Sequence, residues 1–192
     1  MSNLIRSVIA LAILAECASA QIQPVQFCFP DTPGVHICPC NNPPANPGHM
    51  GCNNFGSLNG TGGAILDGHG TASLQNDTLY FEADNENHNV FSLLLESTNA
   101  TLSGVVYGAG VRCVTAPIHR VFGHIGYRQA DGGGTVYWGL PADPRISVDI
   151  GALSGQTTYF QAWYRDPNAF IPCNVLGATF NVTNAVSVTW SP

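Results

Sequence analysis

Three groups of residues in this chain have the types and spacing to do chemistry. The densest is "HICPCNNPPANPGHMGCNN", residues 36–54, with three cysteines and two histidines among Pro, Gly and Asn. Together with Cys28, it offers Cys38, Cys40, Cys52, His36 and His49 as nitrogen and sulfur donors for a tetrahedral zinc. The spacing is C-x9-C-x-C-x11-C, without the paired C-x2-C or C-x4-C knuckles of structural zinc sites. Disulfides are therefore the expected fate of these cysteines.

The second group is "DGHGTAS", residues 67–73. His69-Gly70-Thr71-Ala72 echoes the histidine segment of subtilisin-like proteases, and Asp31 could pose as the acid. A triad also needs a serine within reach of the histidine and oxyanion donors beside it. Neither a Gly-Thr-Ser-x-Ala segment nor a G-x-S-x-G elbow occurs. The acids Asp84, Glu86 and Glu96 form no evident acid/base pair. "DNENHN", residues 84–89, is rich in oxygen donors but lacks calcium-loop spacing, and reads as a solvated turn. His119 and His124, five apart on a strand, fall on opposite faces.

The third group is "TYFQAWYRDP", residues 158–167. Strand alternation puts Phe160, Ala162 and Tyr164 on one face and Tyr159, Gln161, Trp163 and Arg165 on the other. The second set combines aromatic rings, an amide and a guanidinium, which stack on and hydrogen-bond sugars or peptides. The simpler reading buries Trp163 in the packing of a second sheet and pairs Arg165 with Asp166 or Asp149.

These groups need a frame. Arg6, the apolar run "SVIALAILA" and Ala18-Ser19-Ala20 describe a secretory signal peptide cleaved after Ala20. The apolar run is too short to span a bilayer, and Glu16 argues against lipidation at Cys17. The expected protein is secreted, extracellular and without a membrane span. Export leaves Cys28, Cys38, Cys40, Cys52, Cys113 and Cys173, an even set suited to disulfides in an oxidising compartment. Our reading pairs Cys113 with Cys173. Cys38 and Cys40 are too close to bond each other, so they reach to Cys28 and Cys52 in one order or the other.

The chain carries six basic residues, all arginine, against twelve acids, a net charge of −6. With no basic run, it suits neither nucleic acid nor an anionic membrane surface. From residue 64 onward the pattern has period two. Leu79, Phe81 and Ala83 share a face in "TLYFEA", and Val186, Val188 and Trp190 in "AVSVTW". "RISVDIG" reads as another strand, with Ile146, Val148 and Ile150 inward. "FSLLLES", "TLSGVVYG", "HRVFGHIGYR" and "GTVYWGL" are further strand-like runs, separated by Gly, Pro, Asn and Asp. The expectation is all-β: an antiparallel two-sheet sandwich, jelly-roll or Ig-like, with a barrel as the other closure. Residues 1–20 would be the signal, 21–63 an irregular arm stapled by disulfides, and 64–192 the sandwich. Asn59, Asn76, Asn99 and Asn181 each open an Asn-x-Thr sequon.

Three blocks carry a likeness. Cys38-Pro39-Cys40 and Gly51-Cys52-Asn53-Asn54 form the first; Gly108, Gly110, Cys113, Val114 and Arg120 the second. Gln161, Trp163 to Pro167, Phe180, Asn181, Thr183, Asn184 and Ala185 form the third. Together they resemble a family of bacterial secreted proteins of uncharacterised role, although "FPDTP" stands where a Gly-Asp-Gly stretch is expected. The resemblance implies an exported surface or matrix β domain and brings no catalytic residues. The sequence thus points to a non-enzymatic interaction or structural module, with extracellular polysaccharide or a surface protein as partner and no metal or cofactor. A carbohydrate-binding module using Tyr159, Gln161, Trp163 and Arg165 is the alternative, and a small hydrolase a second.

Overall fold

The computed structural model describes residues 23–54, 62–167 and 179–192. Residues 1–20, expected to be a signal, and Cys173 lie outside them. Eleven strands occur among the described residues: β1 (Val25–Phe27), β2 (Ile65–His69), β3 (Tyr80–Asp84), β4 (Phe91–Ser97), β5 (Ala100–Tyr107), β6 (Gly110–Val114), β7 (His119–Arg120), β8 (Arg128–Gln129), β9 (Val136–Trp138), β10 (Thr157–Arg165) and β11 (Phe180–Thr189). The chain is all-β and its strand ladders are antiparallel, as the alternation predicts. A main sheet runs in the order β1-β11-β10-β4-β7, with β8 also paired to β4. A three-stranded sheet runs β2-β3-β9, and β5-β6 form a separate hairpin.

Alternation accounts for the packing. Leu66, Phe81, Ala83, Val136 and Trp138 of the three-stranded sheet share one core with Leu94, Phe160, Ala162, Val186 and Val188 of the main sheet. The Phe81 and Phe160 rings meet at 4.5 Å between centroids. A second cluster lies on the opposite face of the main sheet, where Val111, Cys113 and Val114 of the hairpin meet Ala185 and Tyr159. The main sheet is therefore covered on one face by β2-β3-β9 and on part of the other by β5-β6.

The hairpin is anchored by a disulfide between Cys28 and Cys113, and a second bond joins Cys38 to Cys52. Cys40 is also disulfide-bonded. The expected Cys113–Cys173 pair is thus replaced, because β1 lies on the edge of the main sheet beside β11 and brings Cys28 under the hairpin. The Cys38–Cys52 bond is half of one expected order; its other half, Cys28–Cys40, does not form, because Cys28 is bonded to Cys113. Asn42 ties the arm to the hairpin turn, its Nδ2 donating to the carbonyls of Asn53 and Ala109 at 2.7 and 3.0 Å. Asn181 Nδ2 donates to the Cys52 and Asn53 carbonyls from β11.

Two local expectations are corrected. Ile146–Asp149 is a single helical turn, α1, with Val148 exposed and Ile146 fully buried. Ile146 and Ile150 are four residues apart, so they meet the core from one face of a helix as readily as from a strand. Asp77 decides the outcome: its Oδ2 accepts the Ser147 N–H at 2.8 Å and satisfies the start of the turn. Likewise "HRVFGHIGYR" holds only the short β7 and β8, separated by a 3-10 turn at Gly123–Gly126 that follows Phe122 in the left-handed region.

Candidate functional site

Strand β10 runs through the middle of the main sheet, between β4 and β11. Its inward residues, Phe160 and Ala162, fill the shared core. Its outward residues are the four that alternation singles out, and the structure separates them into two pairs.

Tyr159 and Gln161 lie under the hairpin. Tyr159 packs edge-on against Phe27, with centroids 5.7 Å apart. Gln161 is fully buried and acts as a clamp. Its Oε1 accepts the N–H groups of Cys113 and Val114 at 3.0 and 3.4 Å. Its Nε2 donates to the carbonyls of Val111 and Thr183 at 3.0 and 2.7 Å. All the hydrogen-bonding capacity of the amide is used. Gln161 is not available to a ligand; it bolts the hairpin to the sheet.

Trp163 and Arg165 lie beyond the reach of the hairpin. The pairing of β10 with β11 slips between Gln161 and Trp163, where β11 carries an extra residue. Such a bulge bends the strand and re-aims its side chains. Trp163 is half-buried and Arg165 exposed. The two residues line an open cavity of about 370 Å³ together with Phe91 and Tyr127. Phe91 and Tyr127 are 57% and 46% exposed, large areas of ring to leave in water. Phe91 precedes Leu93, the partner of Trp163 across the ladder, by two residues and so shares its face. Tyr127 precedes Gln129, the partner of Phe91, by two.

The aromatic row continues past Trp163. The Phe180 ring lies 5.6 Å from it, and the Tyr107 ring 4.9 Å from Phe180. The Arg112 guanidinium sits 4.3 Å from the centre of the Tyr107 ring, a cation–π contact. Gly108 makes this row possible: it has a positive φ of 63°, and a Cβ there would strike the Phe180 ring. Arg165 does not pair with Asp149 or Asp166. Its Nη1 donates to Thr179 Oγ1 at 3.2 Å, while Asp149 accepts from the His119 ring and the Phe122 N–H.

The other candidates have structural occupations. The sulfurs of Cys28, Cys38, Cys40 and Cys52 are bonded as cystines and so offer no thiolates to zinc. His69 stacks on Tyr80 at 4.9 Å, with Nε2 3.5 Å from Glu82 Oε2. Glu86 and Asn87, expected in a solvated turn, are instead buried. Burial raises the Glu86 carboxyl to about 8, while Ser92 Oγ donates to its Oε1 at 2.7 Å. A second cavity, about 510 Å³, lies between residues 77–80 and residues 139–145. Its two acids are occupied by the fold: Asp77 caps α1, and Asp143 holds Arg128 and the Gly139 N–H.

Sequence reasoning found Trp163 and Arg165 but missed Phe91, Tyr127, Phe180, Tyr107 and Arg112. Their grouping depends on the register among five strands, which no local pattern carries. No family model matches this chain, and no curated protein and no solved structure is similar to it.

Proposed function

We propose that this protein is a secreted, non-enzymatic carbohydrate-binding module whose platform is the end of the main sheet that no described residue covers. The observation that carries the reading is the cavity formed by Phe91, Tyr127, Trp163 and Arg165. Pyranose rings present flat C–H faces that stack on aromatic planes, while their hydroxyls need polar neighbours. Arg165 and the Tyr127 hydroxyl are such neighbours at the rim. The cavity is built on the central strand of the main sheet, with Gln161 and the hairpin beside it and the shared core behind it, so the rings need little ordering on binding.

Export is part of the proposal. Two disulfides fit an oxidising compartment. No helix among the described residues is long and apolar enough to cross a membrane. The signal segment at residues 1–20 supplies the route, and extracellular polysaccharide is the material met there.

The test is a pull-down of the mature protein on a panel of insoluble and soluble polysaccharides, beside Trp163→Ala and Phe91→Ala. Binding by the wild type that both variants lose supports the platform. Binding that both retain places any ligand elsewhere, and no binding to any polysaccharide defeats the reading.

A further inference from the structure

We infer that the saccharide held on this platform is acidic, carrying carboxylate or sulfate groups; the inference rests on the carbohydrate reading above. The sequence argues superficially against it, since the net charge is −6 and a chain of that sign repels polyanions at long range. The fold, however, sorts the charges by face. The ladders place Arg165 and Arg120 on the outward side of the main sheet, Arg120 opposite Leu95 and Arg165 opposite Phe180. Arg112 ends the aromatic row on the hairpin beside them. Half of the six basic residues thus border one surface.

No acidic residue occupies an outward position on β4, β7, β8, β10 or β11. Six of the carboxylates lie elsewhere. Asp67, Glu82 and Asp84 alternate with buried Leu66, Phe81 and Ala83, and so stand on the far side of the three-stranded sheet. There Glu82 accepts from the Tyr137 hydroxyl and Asp84 from Thr135. Glu96, on β4, points inward at 6% exposure. Asp166, next to Arg165, is fully buried and accepts from Asn87. Asp131, in the loop after β8, turns its carboxylate onto the Gly133 and Thr135 N–H groups.

Arg112, Arg120 and Arg165 also have no ion-pair partner among the described residues. The ion pairs there are His69–Glu82, His119–Asp149 and Arg128–Asp143. The Arg112 Nε is buried without a hydrogen-bond partner. A guanidinium fork binds carboxylate or sulfate through two parallel hydrogen bonds. Arg120 and Arg165 are separated by four residues along the strands and two strand spacings, roughly 16 Å between Cα atoms. That span suits acidic units a few residues apart on one polymer, with rings between them against Trp163 and Phe91.

The experiment compares the affinity of the mature protein for polygalacturonate, alginate and hyaluronate with that for neutral galactan and mannan. It includes Arg165→Gln, Arg120→Gln and Trp163→Ala, over a range of salt. Arg165 and Arg120 are exposed, so these substitutions leave the fold intact, which a melting curve verifies. The expected result is preference for an acidic polymer that weakens with salt and falls roughly tenfold in Arg165→Gln, the size of one charge-assisted hydrogen bond. Neutral polymers bound as tightly, insensitive to salt and to Arg165→Gln but lost in Trp163→Ala, would overturn the acidic assignment and leave the carbohydrate reading standing. Binding to neither class would overturn both.

Discussion

Trp163 and Phe180 meet diagonally across the β10–β11 ladder, their ring centroids 5.6 Å apart, with the hairpin's Tyr107 ring 4.9 Å from Phe180. Each supports the other's orientation, yet neither is enclosed. Replacing Trp163 by Ala should therefore cost about 1–2 kcal/mol of stability, well below the 3–5 typical of a fully buried large aromatic. Urea melts measure the difference. A loss at the fully buried level would mean that the ring is core and not platform.

Gln161 tests the division of β10 into a clamped half and an open half. Gln161→Ala leaves the Cys113 N–H and the Val111 and Thr183 carbonyls without a buried partner. Each such group costs about 1–3 kcal/mol, so the variant should lose more stability than Trp163→Ala does. Its ligand binding should persist under conditions where it stays folded. An unchanged melt would contradict the clamp.

The Cys28–Cys113 bond spans 85 residues and joins the arm to the hairpin. Cystine mapping of the unreduced protein should return this pair and Cys38–Cys52. The double variant Cys28→Ser/Cys113→Ser should lose about 2–5 kcal/mol. Recovery of a Cys113–Cys173 peptide would contradict the structure.

Glu86 predicts the pH dependence of stability. Its carboxyl is raised from an ordinary value near 4.5 to about 8 by burial. Between those values the folded chain holds a proton there that the unfolded chain has released. Stability must fall as pH rises across that window, by up to about 1.4 kcal/mol per pH unit from this group. Gln keeps an acceptor for Ser92 and removes the titration. Glu86→Gln should thus flatten the profile between pH 5 and about 8 and be the more stable protein at pH 7. Parallel profiles for the two proteins would show that Glu86 is not buried in this way.

How much of this was legible in the sequence depends on how local the cause is. The alternation of Leu79, Phe81 and Ala83, or of Val186 and Val188, is a two-residue signal and reads directly as a buried strand face. "RISVDIG" does not, because Ile146 and Ile150 satisfy both the strand and helix periods. The arbiter is Asp77, 70 residues away. Trp163 and Arg165 were visible because they lie on one strand. Gln161 looked the same by alternation and differs only because the hairpin covers its end of β10. Gln161, Asn181, Thr183 and Asn184 belong to the closing block of the sequence. In the structure they are buried polar groups bonding the arm, hairpin and small sheet to β10 and β11. That block specifies assembly more than it specifies the ligand surface.

The most direct measurement uses the tryptophans themselves. Of the three, Trp138 and Trp190 are 0% and 1% exposed, leaving Trp163 as the ring that solvent reaches. Acrylamide quenching of the mature protein should therefore report mainly on Trp163. Adding a polysaccharide that the protein retains in a pull-down should shield that ring and reduce quenching, and Trp163→Phe should abolish the effect. Unchanged quenching at saturating polysaccharide would place the binding surface away from Trp163 and contradict the account.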